Sequence, residues 1–240
     1  MVRAPPGVRS ACRSGYVARV RRLALFARPA VIGKVKTRLS PALPPAAACM
    51  LYRGMLADAL DALRGARSAE ERFVYWADGD EPVAAGVRVR PQSGADLGVR
   101  LAAAFDELLA AEGDRAVIFG ADCPALDASV IDEAFARLER SALVIAPARD
   151  GGYALIGLAR RAPSLFHGIA WSTEGVLEQT LERARALGLE TARLAPLEDV
   201  DTAEDVCRLV AWLAPELGER PSGTRGALRT CGLLPAIAAP

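Results

Sequence analysis

Between about Leu23 and Leu213, short apolar runs of strand character alternate with longer stretches of helical period, and few folds accommodate that alternation. It predicts a mostly parallel sheet with helices on its faces: an α/β, Rossmann-like three-layer αβα sandwich. Leu23–Ala27 reads as a first buried strand, and a loop rich in Gly, Lys and Arg separates it from a helix over about Pro45 to Leu63, with Leu51, Met55, Ala59 and Leu63 on one face. Arg72 to Trp76 and Val87 to Arg90 are short strands. Leu97, Leu101, Phe105, Leu108 and Leu109 then mark a helix punctuated by Gly113. Ala116 to Gly120 is a buried strand, followed by a helix with Ile131, Phe135 and Leu138 inward. Leu143 to Ala148 and Tyr153 to Leu158 flank Arg149-Asp150-Gly151-Gly152, whose glycines suit a hairpin, so the sheet is expected to be mixed. A helix over Thr173 to Leu187 capped by Gly188, a strand over Thr191 to Leu194 and a helix over Thr202 to Leu213 complete the series, with no internal repeat.

Composition narrows the function. A 240-residue chain that is 52% hydrophobic has enough apolar material for a substantial core. Thirty Lys and Arg against 29 acids produce no global field of the kind that marks a nucleic-acid or acidic-membrane binder, so neither partner is expected. Charge interrupts every apolar stretch short of the roughly 18 to 20 residues of a membrane span. The five cysteines, Cys12, Cys49, Cys123, Cys207 and Cys231, lack C-x-x-C spacing and are odd in number, which suits a reducing cytoplasm. Residues 1–22 carry Arg3, Arg9, Arg13, Arg19, Arg21 and Arg22 with no acid and no apolar h-region, and read as a solvated arginine-rich extension rather than a secretory signal. Residues 214–240 read as a C-terminal tail, which leaves 23–213 as the folded domain.

Ligands of open α/β sheets bind beyond the carboxyl ends of the strands, so the loops there are the place to look for chemistry. Gly33-Lys34-Val35-Lys36-Thr37-Arg38-Leu39 follows the first strand. Gly33 permits close backbone approach, while Lys36 and Arg38 offer phosphate a point charge and a fork. The loop matches neither Walker A nor G-x-G-x-x-G, and a solvated basic turn is the competing reading. Asp122 stands between an apolar strand and Pro124, where a carboxylate suits Mg²⁺ or Mn²⁺; Asp127 or Ser129 is better placed to cap the next helix. In Asp199-Val200-Asp201-Thr202 the two acids share a side if the backbone is extended. Asp201 is then either a helix cap, a task Thr202 also suits, or a second metal ligand facing Asp122. His167 is the single histidine, which removes a zinc site built on several histidines and leaves a Ser-His-Asp hydrolase unsupported. Cys123 has no evident base nearby and reads as a small buried residue. At Trp171-Ser172-Thr173, Ser172 or Thr173 suits a helix cap and Trp171 the wall of a substrate pocket.

Taken in order, these pieces resemble one family. They are Phe26-Ala27-Arg28 leading to Gly33–Leu39, Gln92-Ser93-Gly94-Ala95-Asp96-Leu97-Gly98 with Arg100-Leu101, Gly120-Ala121-Asp122-Cys123-Pro124, Asp150-Gly151-Gly152-Tyr153, Leu155-Ile156-Gly157-Leu158, Trp171-Ser172-Thr173 and Asp199-Val200-Asp201-Thr202. The set resembles the GT-A-type nucleotide-diphospho-sugar transferases known as radical-SAM/selenodomain-associated transferases, relatives of the 2-phospholactate guanylyltransferases and molybdenum-cofactor nucleotidyltransferases. The resemblance implies a GT-A fold, with Ala27, Arg28, Gly33, Lys36, Arg38, Gln92, Gly94 and Asp96 around the nucleotide and Asp122 as the metal-binding acid. It also implies that Asp150, Gly151, Gly152 and Tyr153 line the acceptor side, and Trp171, Ser172 and Thr173 are expected to contact the substrate there. The chain departs from the family at Ala30 and Ile32, where prolines are usual, at Ala95, where glycine is usual, and at Val99 and Arg149, where acids are usual; Arg149 favours an anionic acceptor.

Three functions compete at this level. The first is Mg²⁺- or Mn²⁺-dependent nucleotidyl transfer from a nucleoside triphosphate to a small phosphorylated or anionic acceptor, with Lys36 and Arg38 on the leaving pyrophosphate and Asp122 and Asp201 on the metal. The second is glycosyl transfer from a nucleotide sugar. The third is a non-catalytic nucleotide-binding module. A homodimer is compatible with each.

Overall fold

The computed structural model describes residues 19–40, 42–214 and 221–235. Seven strands form one sheet: β1 (Arg21–Ala27), β2 (Glu71–Trp76), β3 (Val87–Pro91), β4 (Arg115–Gly120), β5 (Leu143–Pro147), β6 (Tyr153–Leu158) and β7 (Thr191–Arg193). Their order across the sheet is β3-β2-β1-β4-β6-β5-β7. β6 runs antiparallel to both β4 and β5, and every other pairing is parallel. The expected hairpin and the mixed sheet are therefore present.

Alternation along the strands divides the apolar residues between two faces. Leu23 and Leu25 of β1 join a core with α1 (Pro45–Gly65), α3 (Ala128–Arg137) and α5 (Ala203–Leu213), while Ala24 joins α2 (Leu97–Leu108) and α4 (Val176–Ala186) on the other side. These two cores make the three layers. Leu97 departs from the expected inward stripe: it is 44% exposed at the start of α2. The helix predicted from Thr173 begins at Val176, with Gly175 at its N-cap, so neither Ser172 nor Thr173 is the capping residue.

Both ends of the expected domain need correction within the described residues. Arg21 and Arg22 belong to β1 rather than to an extension. Arg22 is tied by Nε to Glu71 (2.6 Å) and by Nη1 to the buried Asp114 (2.5 Å) and the Leu108 carbonyl (2.7 Å). At the other end Ser222–Thr230 form α6, which packs on α1. A Cβ on Gly54 of α1 would lie 2.5 Å from the Gly223 carbonyl oxygen, so glycine permits this approach. The carboxylate of Asp58 accepts the N–H groups of Gly223 and Thr224 at 2.8 and 2.7 Å, closing the first turn of α6. Gly223 and Gly226 lower the intrinsic helix propensity of this segment, and its inward face is short, so its period is hard to see in sequence. The rest of the proposed extension and tail, residues 1–18, 215–220 and 236–240, lies outside the described residues. Among the described residues, no helix is long and apolar enough to cross a membrane, and Cys49, Cys123, Cys207 and Cys231 are free thiols.

Candidate active site

The chain winds from β1 outward through β2 to β3 and then returns to place β4 on the other side of β1. A crevice opens where the winding changes direction, at the carboxyl ends of β1 and β4. Here it is a cleft of about 630 Å³, within the range of small-molecule sites. Because β6 is reversed, its first residues, Tyr153 to Ile156, also reach this end and help line the cleft.

Lys36 lies on the cleft floor between two acids. Its ammonium is 2.5 Å from Asp122 Oδ1 and 2.7 Å from Asp201 Oδ1, and its side chain is only 5% exposed. Burial opposes the charge, but the fields of Asp122 and Asp201 outweigh burial and hold Lys36 above its ordinary pKa. The loop delivers it by an unusual backbone: Lys36 is left-handed, with φ of 49°. For a residue with a side chain that conformation is costly, and such strain concentrates at functional sites. Val35 and Leu39 anchor the loop in the core, and Thr37–Leu39 form a single 3-10 turn. Gly33 gives this loop its left-handed φ of 76°, and no protein atom lies within 4 Å of where its Cβ would stand. Arg38 is 76% exposed, with Nη1 3.7 Å from Asp201.

The partner acids come from two loops held together by backbone. The N–H of Val200 donates to the Asp122 carbonyl (3.0 Å), which pins the Asp199–Asp201 segment beside the end of β4. Val200 is buried there, and Asp201 lines the cleft. Thr202 caps α5, in a reciprocal box with Asp205, so Asp201 is not spent on the cap. Asp127 caps α3, which likewise leaves Asp122 without that duty. Burial and the neighbouring Asp150, Asp201 and Asp205 push Asp199 up to about 6.

The opposite wall is built from β1, β2 and the start of α2. Gln92 Nε2 donates to the Ala27 and Tyr75 carbonyls (3.1 and 2.9 Å), which orients the amide at the cleft edge. Asp96 caps α2 through the Val99 N–H (2.9 Å). Gly94 sits outside the cleft lining and accepts Arg100 Nε at its carbonyl (2.9 Å). Arg28 lines the cleft, and Tyr52 clasps its backbone by donating to the Arg28 carbonyl (3.0 Å) and accepting its N–H (3.1 Å). Burial pushes the Tyr52 hydroxyl up to about 12.

Neither Tyr52 nor Arg100 is among the site residues expected from sequence. Nothing in sequence marks Tyr52, which faces the loop only because α1 packs against β1. Arg100 did carry a signal: a cation in the first turn opposes the helix dipole and calls for another partner.

The expected acceptor residues are only partly at the cleft. Tyr153 lines it, with a buried hydroxyl. Asp150, Gly151 and Gly152 instead form a structural turn: Asp150 Oδ1 accepts the Gly152 N–H (2.8 Å), and Gly151 has φ of 85° with no room for a Cβ beside the Glu174 carbonyl. Trp171 packs its indole on Gly98 of α2, Ser172 is left-handed, and Thr173 hydroxyl donates to the Ala170 carbonyl (2.7 Å), all away from the cleft lining. Arg149 is exposed, outside the cleft lining and paired with Glu198 (2.9 Å). Cys123 is buried, and burial followed by the Asp122 charge raises its thiol well above the usual value, the opposite of what a nucleophile needs.

Two carboxylates sharing one small cation are hard oxygen donors suited to a divalent metal. Among the described residues no group of three or more His, Cys, Asp and Glu forms a cation site, so an ion held by Asp122 and Asp201 would take its other ligands from substrate and water.

Comparison with known proteins bears on the family and the fold. Residues 55–173 match a family described as "Uncharacterized protein conserved in bacteria (DUF2064)". The chain is 32% identical over 179 residues to the 2-phospho-L-lactate guanylyltransferase of Methanothermobacter thermautotrophicus, an alignment spanning 73% of this chain and 78% of that one. The chain belongs to the DUF2064 family and is a homologue of that guanylyltransferase. Within solved structures, this DUF2064 member resembles a Desulfovibrio desulfuricans protein assigned as a nucleotide-diphospho-sugar transferase, with a TM-score of 0.80 and 29% identity over 91% of this chain and all of that one. The 4-diphosphocytidyl-2C-methyl-D-erythritol synthase of Anaerococcus prevotii shares the fold at a TM-score of 0.52 and 11% identity, over 81% of this chain and 98% of that one. The architecture is that of the nucleotide-diphospho-sugar transferases, and the DUF2064 chain is a transferase.

Proposed function

We propose that this transferase moves a nucleotidyl group from a nucleoside triphosphate to a small phosphorylated or anionic acceptor, releasing pyrophosphate. The observation that carries the reading is the buried ammonium of Lys36 on the cleft floor, with Arg28, Lys34, Arg38 and Arg100 also lining the cleft. Such a concentration of cations matches the charge of a triphosphate better than that of a diphosphate sugar. In the reaction an acceptor oxygen attacks the α-phosphorus, the bond to the bridging oxygen breaks, and its electron pair leaves with pyrophosphate. Catalysis is then mainly positioning and charge stabilisation. Lys36 and Arg38 hold the leaving pyrophosphate, and Arg100, oriented through the Gly94 carbonyl, completes the phosphate contacts. An acceptor that is already anionic needs no general base, which agrees with the absence of a histidine or activated thiol from the cleft lining. Asp122 and Asp201 would hold Mg²⁺ or Mn²⁺, which supplies neutralisation of phosphate charge when bound.

The relative's name makes GTP and 2-phospho-L-lactate the first pair to assay. Pyrophosphate release is expected with one triphosphate and one anionic acceptor in the presence of Mg²⁺ or Mn²⁺. Asp122→Ala should lower the rate by at least a hundredfold, the scale of losing one charge-stabilising group. Full activity of that variant would remove Asp122 from the chemistry. A second reading, glycosyl transfer, is favoured by the assignment of the Desulfovibrio relative. Release of a nucleoside diphosphate from a nucleotide sugar, without pyrophosphate, would select it.

A further inference from the structure

We propose that Lys36 is the resident counter-ion of Asp122 and Asp201, and that it keeps a divalent cation out of this pair until the phosphates of a bound nucleotide draw its ammonium away. The inference rests on the nucleotidyl-transfer reading and adds an order of binding: the metal enters with the nucleotide rather than before it.

The geometry places one nitrogen within 2.7 Å of one oxygen from each acid. A divalent ion held by these acids would draw on the same two carboxylates, so ion and ammonium compete for their charge. Two cations there would repel each other, and the buried Lys36 ammonium has little water to screen it. Lys36 does not reach this position as a wandering surface chain. Its side chain is 5% exposed, and its left-handed backbone is held between the buried Val35 and Leu39. Arg38 is no substitute, being 76% exposed and 3.7 Å from Asp201.

The same ammonium is also suited to leaving. It has three N–H donors and makes two carboxylate contacts, which leaves one donor for a phosphate oxygen on the cleft side. A triphosphate that brings its own metal offers Lys36 new anionic partners as the metal takes the old ones, so the exchange conserves ion pairing. Metal alone offers the lysine nothing in return.

Binding of Mn²⁺ to the full chain, followed by electron paramagnetic resonance of free Mn²⁺ without nucleotide, tests the idea. Lys36→Met and Lys36→Gln should each bind one Mn²⁺ at least tenfold more tightly than the wild type, and adding Asp122→Asn to either should abolish the gain. Circular dichroism melts establish that both variants are folded. Equal or weaker Mn²⁺ binding by the two folded variants overturns the proposal, as does a gain that survives Asp122→Asn. Wild-type uptake of Mn²⁺, counted beyond what the same triphosphate chelates without protein, should rise at least tenfold with a saturating nucleoside triphosphate. If the single variants gain affinity but no triphosphate raises wild-type uptake, the nucleotide reading fails and exclusion of the metal by Lys36 stands.

Discussion

Arg22 and Asp114 show how a single charged pair fastens the end of the sheet opposite the cleft. The carboxylate of Asp114 is 1% exposed and accepts the N–H groups of Val20 (3.0 Å) and Ala111 (2.9 Å) as well as the Arg22 guanidinium. Burial alone would raise its pKa, yet these donors together hold it below the usual carboxylate value. A carboxylate depressed in this way stabilises the fold above its unfolded pKa of about 3.9, and that contribution disappears as pH falls through the lower folded value. We predict that Arg22→Ala, which strands the buried carboxylate, costs about 3 kcal/mol at neutral pH in urea unfolding. It should also lose less stability than the wild type on acidification below about pH 4, because less of the stabilisation remains to be lost. Parallel acid profiles would show that the Arg22 contact is not what holds the carboxylate down.

Helix ends carry the corresponding logic at the scale of elements. Asp96, Asp127 and Thr202 each cap the helix that starts beside them, whereas α6 is capped from another element, by Asp58 of α1. Asp58→Ala should therefore cost about 1–2 kcal/mol in urea unfolding and expose α6 to limited proteolysis. An unchanged midpoint with an intact C-terminal segment would mean that α6 adds no stability. The caps of α3 and α5 are legible as S/T/D patterns before apolar runs, whereas the Asp96 cap is not among those expected from sequence and the expectation that Ser172 or Thr173 caps α4 is wrong; a cap contributed 165 positions away in sequence has no local signature at all. The reversed β6 is a contrasting case. Its hairpin turn could be read from Asp150-Gly151-Gly152, while its consequence, that Tyr153 reaches the cleft and Asp150 does not, depends on the strand's position between β4 and β5.

For the whole molecule, ligand binding and folding are linked. A triphosphate with Mg²⁺ at about one hundred times its Kd should stabilise the folded state by about 2.7 kcal/mol. For a domain of this size that is a rise in Tm of about 5–10 °C. Lys36→Ala should abolish most of the rise, and added salt should reduce it in the wild type because the cleft's outer cations are exposed. A variant with the full rise would place the phosphates elsewhere.

By itself, the order of apolar runs, turn residues and caps determined the α/β class, the mixed sheet and most of the helices, since those follow from local periodicity and backbone conformational preference. It also supplied the separate suspicion that Lys36, Asp122 and Asp201 matter. Only tertiary structure decided that one ammonium sits between those two acids, that Thr202 rather than Asp201 caps α5, and that Asp150 and Trp171 lie outside the cleft lining. The reason is physical: a side chain's role depends on which distant groups compete for its hydrogen bonds and charge, and here strand pairing and the Val200 to Asp122 backbone bond bring together residues 86 to 165 positions apart.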